Sequence, residues 1–282
     1  MELWGYQIWL EMWLGGMAGG AFLVAFLYEL FSGQKNKQLL RPATFIGIPL
    51  VVVALILALL DLGMPDRFWH MVVVIKPLSP IWVGAVLLSG FVGLSVIMAL
   101  LYIVNARRGA QGINNFISFL SWINAVIAAV LIAYSGVMLA ASNQPLWAST
   151  PLMPSLFAAS AAATGAAIMI FSALIYKGAW QETGETIKKL AGAMAVVVVI
   201  QVILLGGLVV MAGNSANVLM SGSMMIPFYA DVAALVLGLV LIILARGKLA
   251  QGSMKGVAIL ASLLVILGGL AMRAVIIIGG QM

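Results

Sequence analysis

The chain is poor in charge. Only 8% of its 282 residues are Asp, Glu, Lys or Arg, against 64% hydrophobic, and its mean hydropathy is +1.19. A soluble globule carries roughly 25% charged residues. This chain has too few to coat a water-facing surface, so the solvent it is built for is lipid. Cysteine is missing. That excludes disulfides, thiolate metal sites and iron–sulfur clusters held by this chain. Histidine occurs once, at His70. A membrane b-type haem held by two axial histidines is therefore excluded as well. Also lacking is a basic N-terminal region followed by a short apolar stretch and a small-residue cleavage site. No removable signal peptide is expected, and the first apolar run reads as a span.

What the chain does have is long apolar runs. A spanning helix takes about 20 mostly apolar residues. Eight such runs occur, at about residues 10–31, 44–64, 81–104, 116–140, 152–176, 190–212, 224–245 and 255–279. No joint between them is long enough for a soluble domain. The expected fold is an all-α membrane protein of eight transmembrane helices, with residues 1–282 forming a single membrane domain. LGGMAGGAF at 14–22 is echoed by SAAATGAAI at 160–168, and prolines precede the third and seventh spans in SPIW (79–82) and IPFY (226–229). A parallel four-plus-four repeat, about 1–140 and 141–282, would account for the echo. So would the ordinary use of small residues where membrane helices pack closely.

Orientation follows from the basic residues. Lys35, Lys37, Arg41, Arg107, Arg108, Lys177, Lys188, Lys189, Arg246, Lys248 and Lys255, 11 of the 14, lie in the odd-numbered joints. Arg67 and Lys76 lie in the second joint and Arg273 inside the last span. By the positive-inside rule the odd joints are cytoplasmic, and both termini are extracytoplasmic. The net charge of +6 is then a topology signal, and no nucleic-acid partner is implied.

The rare charges are the functional candidates, because an ionisable residue near the bilayer centre costs about 2.5–3.5 kcal/mol on insertion scales. Glu11, Glu29, Asp61, Asp231 and Arg273 lie in or at the edges of spans. All but Glu29 gather toward the outer face. There the stretch DLGMPDRFWHMVVVIKPLSPIW, residues 61–82, holds Asp61, Asp66, Arg67, His70 and Lys76. With prolines at 65, 77 and 80, this stretch is expected to be a folded cap. Glu29 stands at the cytoplasmic end, where a solvated helix end would explain it. Arg273 reads as a counter-ion for Asp231 or Asp61, since a buried charge must be paired. Tyr134, Asn124 and Gln201 are polar groups within spans and read first as helix-to-helix hydrogen bonders. His70 suits either an interfacial hydrogen bond or a proton relay. Trp69, Trp82 and Trp147 suit the membrane interface.

Four motifs in order resemble those of the NrfD/PsrC family: WLGGMAGGAFL at 13–23, DLGMPDRFWH with PLSPIW at 61–82, YSGVMLAASNQPLW at 134–147, and GGLAMRAVIIIGGQ at 268–281. These are integral-membrane, quinone-reactive subunits of multi-subunit respiratory oxidoreductases. The resemblance implies two four-helix bundles and a quinone site, for menaquinone or ubiquinone, near the outer face. It implies Tyr134 in quinone contact, and Glu11 at a titratable position just before the small-residue motif of the first span. The acidic residue near the second helix exit corresponds approximately to Asp61. The implied partners are an iron–sulfur subunit of ferredoxin type and, behind it, a molybdopterin catalytic subunit or a multihaem cytochrome, in the inner (cytoplasmic) membrane with the active side facing outside.

A quinone exchanges two electrons and two protons, so its site needs an apolar slot, donors to two oxygens and a titratable group. Glu11, Asp61, His70 and Tyr134 are the expected quinone-site residues. Glu29, Asn124, Gln201, Asp231 and Arg273 are expected in proton transfer or ion pairing, and Asp66, Arg67 and Lys76 in partner docking. No metal site is expected in this chain. Two other readings stand beside this one: a secondary transporter, marked by midplane charges and broken helices, and an anchor subunit without quinone chemistry of its own.

Overall fold

The computed structural model describes residues 4–32, 39–62, 64–77, 79–176, 184–249 and 254–282. Lys35, Lys37 and Lys177 of the basic joints, and Gly63 and Leu78 of the 61–82 stretch, lie outside the described residues. Among the described residues there is no strand. Eight helices among the described residues are long and apolar enough to cross a membrane. They are α1 (Tyr6–Ser32), α2 (Leu40–Asp61), α3 (Pro80–Arg108), α4 (Gln111–Ala140), α5 (Met153–Ile175), α6 (Gly184–Ala212), α7 (Met225–Leu249) and α8 (Lys255–Gly279). In lipid a helix satisfies its own backbone polar groups, and this is why each apolar run takes that form.

Several helices outrun the apolar windows that announce them. α3 continues through Arg107 and Arg108, and α7 through Arg246 and Lys248. Cations suit the negative end of the helix dipole, so hydropathy falls before the helix stops. Gly109, at φ 61°, ends α3 in the left-handed region, and only Ala110 separates it from α4. A glycine there closes the helix without a Cβ penalty.

The helices close into two rings. In the first, α1 packs on α2, α2 on α3, α3 on α4 and α4 on α1. In the second the order is α5, α6, α7 and α8, with α8 returning to α5. The rings meet reciprocally: α1 lies against α5, α4 packs on α5, and α8 packs on α1. α1, α5 and α8 are accordingly the most buried spans.

Small residues permit the closest crossing. A side chain built at Gly20 would run into the backbone of Ala161 and Ala162, and one at Gly165 into the backbone of Gly20 and Ala21. The two echoing motifs of the sequence are thus the two sides of one contact.

At the end of the bundle that carries both described termini, the chain folds back over the helices. A 3₁₀ turn (Pro65–Arg67) and a short helix (His70–Val73) link α2 to α3, and Pro145–Ala148 forms a helical turn before α5. Trp147, expected at the membrane interface, is covered by protein. Only 2% exposed, it donates from Nε1 to the Ile276 carbonyl of α8 at 2.8 Å and packs on Trp4 with ring centroids 5.2 Å apart. Gly280 leaves space for its indole. Gln281 then holds the N-terminal segment: its Oε1 accepts from the Trp4 amide at 2.9 Å and its Nε2 donates to the Trp4 carbonyl at 3.2 Å. The PLW and GGQ elements are partners in one clasp.

Candidate functional site

The terminal end of the first ring contains a narrow cleft. It is lined by Glu11, Met12, Gly15 and Gly16 of α1, Leu88 of α3, and Leu131, Tyr134 and Ser135 of α4. Met12, Leu88 and Leu131 are buried apolar walls. Glu11 and Tyr134 are half-buried at its rim. Its volume is about 20 Å³, room for one water-sized group.

Helix geometry puts each group there. Glu11, Gly15 and Met12, Gly16 are two i,i+4 pairs, so they share one strip of α1. Leu131, Tyr134 and Ser135 occupy i, i+3 and i+4 of α4 in the same way. Glycine at 15 brings the α1 backbone close to Leu88: a methyl built there would stand 3.3 Å from Leu88 Cδ1. The Tyr134 ring fits against α3 because residue 84 is glycine, and a Cβ at that position would collide with its phenol. The Tyr134 hydroxyl donates to the Pro80 carbonyl at the first turn of α3 and lies 3.3 Å from Met138 Sδ.

Arg273 stands behind the cleft. It is fully buried on α8, where its Nη1 donates to Ser160 Oγ of α5 and to the Gly269 carbonyl, both at 2.9 Å. Its guanidinium carbon lies 5.5 Å from the centroid of the Phe157 ring. Nε and Nη2 have no hydrogen-bond partner among the described residues. A methyl at Gly16 would stand 2.9 Å from Nη2, so a cleft-lining glycine is also what lets the guanidinium reach the α1 backbone.

Asp231 of α7 is 1% exposed, and neither of its carboxyl oxygens has a hydrogen-bond partner among the described residues. Its Oδ1 lies against Gly268, one residue from the Gly269 carbonyl that Arg273 holds. The expected ion pair of Arg273 with Asp231 or Asp61 is not formed; among the described residues no carboxylate lies within 4.0 Å of the guanidinium. Nη1 is taken by Ser160 and Gly269, while Nε and Nη2 make no hydrogen bond among the described residues. Arg273 nevertheless lies within electrostatic reach of Asp231 and of Glu11, and Glu11 within reach of Asp61.

The other expected site residues are distributed differently. Asp61 is exposed at the last residue of α2, and His70 is exposed in the short helix beyond it. Neither lines the cleft. Asp66, Arg67 and Lys76 are exposed in the same cap. Glu29 is buried rather than solvated at a helix end: its Oε1 accepts from the Leu39 and Leu40 amides at 2.9 and 2.8 Å and so caps α2. Asn124 donates to Ser95 Oγ across α3 and α4 at 3.1 Å, the helix-to-helix bond expected of it. Gln201 is fully buried in α6, and neither polar atom of its amide has a hydrogen-bond partner among the described residues. Glu29 and Asn124 belong to the first ring and Gln201 and Asp231 to the second.

Sequence reading missed Gly16, Ser135, Pro80, Gly84, Phe157 and Ser160. Ser135 was within reach, being the middle residue of the YSG motif. Gly16, Pro80 and Ser160 also stand inside quoted motifs, but like Gly84 and Phe157 they act through a backbone carbonyl, a space left open or a contact across helices, roles that no linear motif spells out.

The family model described as NrfD, polysulphide reductase, matches residues 2–282. The C component of the polysulfide reductase of Wolinella succinogenes is 24% identical over 303 residues, covering 99% of this chain and 94% of its own. The C component of the selenate reductase of Mesobacillus selenatarsenatis is 30% identical over 76 residues, which cover 27% of this chain and 18% of that protein. A protein named as an NrfD homolog in Haemophilus influenzae is 25% identical over 193 residues, 61% of this chain and 60% of its own. With the family matched from residue 2 to residue 282 on a chain of eight spanning helices, this multi-pass integral membrane protein belongs to the NrfD family of reductase membrane subunits.

Proposed function

We propose that the chain is the quinone-reactive membrane subunit of a respiratory oxidoreductase, exchanging electrons with an iron–sulfur partner and protons through its own side chains. One observation carries this reading: Glu11 and Tyr134, 123 positions apart in the chain, line the same cleft. An anchor gains nothing from a carboxyl placed at lipid depth.

The cleft's chemistry suits a quinone ring. Met12, Leu88 and Leu131 offer apolar walls, and Glu11, Tyr134 and Ser135 offer polar atoms for its oxygens. Its width does not admit a ring with Tyr134 seated on Pro80. Binding therefore requires Tyr134 to release the Pro80 carbonyl, and this frees its hydroxyl to donate to the substrate. A quinol arriving from the lipid gives up two electrons and two protons. Glu11 takes a proton at its carboxylate, and Asp61, exposed at the helix exit, passes protons to water. The electrons leave to the partner. The route runs in reverse when a quinone is reduced.

The cap formed by residues 64–77 suits partner docking. Arg67, Lys76 and Asp66 are exposed there beside the half-exposed Phe68 and Trp69. The described basic residues Arg41, Arg107, Arg108, Lys188, Lys189, Arg246, Lys248 and Lys255 stand at the opposite end. By the positive-inside rule this supports both termini, the cleft and the cap on the outside of the cytoplasmic membrane.

The test is electron transfer between a quinol analogue and the assembled complex after single Glu11→Gln, Asp61→Asn and Tyr134→Phe substitutions. The reading expects slower transfer in each. Unchanged rates in all three, with the complex intact, would overturn it.

A further inference from the structure

Buried around Arg273 is a charge arrangement that the cleft alone does not explain. The guanidinium sits between the rings, fixed on one side by Ser160 Oγ and the Gly269 carbonyl. Its Nη2 turns toward Gly16 and has no hydrogen-bond partner among the described residues. Gly16 lines the cleft that holds Glu11. On the other side of α8, Asp231 lies against Gly268, and among the described residues neither carboxyl oxygen has a hydrogen-bond partner.

The groups facing this cation can be named element by element among the described residues. Glu11 comes from α1 and Asp231 from α7; α5 supplies only the Ser160 hydroxyl and the Phe157 ring. Tyr134 of α4 lines the cleft with Glu11, and Asp61 of α2, exposed at the helix exit, lies within electrostatic reach of Glu11.

One buried positive charge cannot balance both the buried Asp231 and the half-buried Glu11 where an uncompensated ion is strongly disfavoured. We infer that Arg273 is a shared counter-ion, so that Glu11 in the first ring and Asp231 in the second hold one proton between them. When Glu11 takes a proton from the substrate, Arg273 is released to stabilise an ionised Asp231, and that proton can leave Asp231. When Glu11 is ionised, Asp231 holds the proton. Arg273 is a positioning residue in this scheme; it touches no substrate. Gly16 is the residue that lets its charge be felt in the cleft. The inference rests on the quinone reading for its purpose and on the two carboxyls alone for its test.

The experiment is infrared titration of the assembled, detergent-solubilised complex with no quinone added. The Glu11 carboxyl band is assigned by subtracting the Glu11→Gln spectrum. In Asp231→Asn, a substitution of nearly equal shape, the Glu11 band should move by about 1 pH unit or more, toward ionisation at lower pH, as for strongly coupled sites. In Arg273→Gln the band should persist across the pH range. Gly16→Ala, which pushes Nη2 away, should weaken the coupling without removing a titrating group. A Glu11 band that titrates identically in wild type, Asp231→Asn and Gly16→Ala would overturn the inference. Quinol-analogue binding measured on the same samples separates the two readings. Coupling without binding at the cleft removes the quinone assignment alone, and binding without coupling removes the shared counter-ion alone.

Discussion

Glu11 and Tyr134 face each other across a cleft too narrow for a ring, and each can be tested by one atom's change. Glu11→Gln keeps the shape and removes the titrating group. Positioned acid–base groups contribute about 10²–10⁴-fold, so quinol oxidation at constant complex content should fall within that range. Tyr134→Phe loses a hydrogen bond worth about 1 kcal/mol, so its effect should be closer to tenfold. Glu29 is a contrasting carboxylate. It holds the amides of Leu39 and Leu40, which are 0% and 2% exposed, and has no place in the cleft. Glu29→Ala should leave quinol affinity unchanged and cost about 1–3 kcal/mol of stability, the penalty for stranded buried donors. Thermal unfolding in detergent reads that loss. An unaltered melting profile would return Glu29 to the candidate proton carriers.

Among the elements, α1 and α5 come closest. Gly20 and Gly165 face backbone, with no flexible side chain to yield. Leucine at either should force the rings apart at a cost of about 1–3 kcal/mol, as overpacking does. It should also disturb Arg273, which spans the same contact. Gly93 of α3 is the control, since it is exposed and a methyl there meets nothing within 4 Å. Gly93→Ala should be neutral or stabilise by about 0.5–1 kcal/mol, because glycine is the poorer helix former. Equal melting temperatures for Gly20→Leu and Gly93→Ala would show that the α1–α5 contact is not close-packed.

For the whole molecule the open quantity is which end faces out. The absence of cysteine makes this direct, because a single introduced cysteine is the only thiol present. Asn143→Cys and Ser223→Cys lie exposed at the terminal end, and Gln111→Cys lies exposed at the other. In intact cells a membrane-impermeant maleimide should label the first two and spare the third. The reverse pattern would put the cleft on the cytoplasmic side and remove the proposed docking of an external partner.

Eight spans and their approximate limits could be read from hydropathy alone, because a helix in lipid is dictated by length and the need to satisfy its own backbone. The four motifs placed the chain in its family for the same local reason, being short runs in fixed order. Glu11 and Tyr134 were each visible as polar groups in apolar runs. That they share a cleft was not, since it depends on how α1 and α4 are rotated against each other. Trp147 read as an interfacial aromatic and proved buried, because the turn that carries it folds over the end of α8. Glu29 read as a solvated end and proved a cap, because the chain returns to it ten residues later. Arg273 and Asp231 read as an ion pair, and they proved to be neighbours with no salt bridge between them. Composition and period determined that this chain enters a membrane as eight helices. Which buried charges meet was decided only by the packing of one ring on the other, where side-chain direction and a glycine's missing methyl set distances that no linear pattern records.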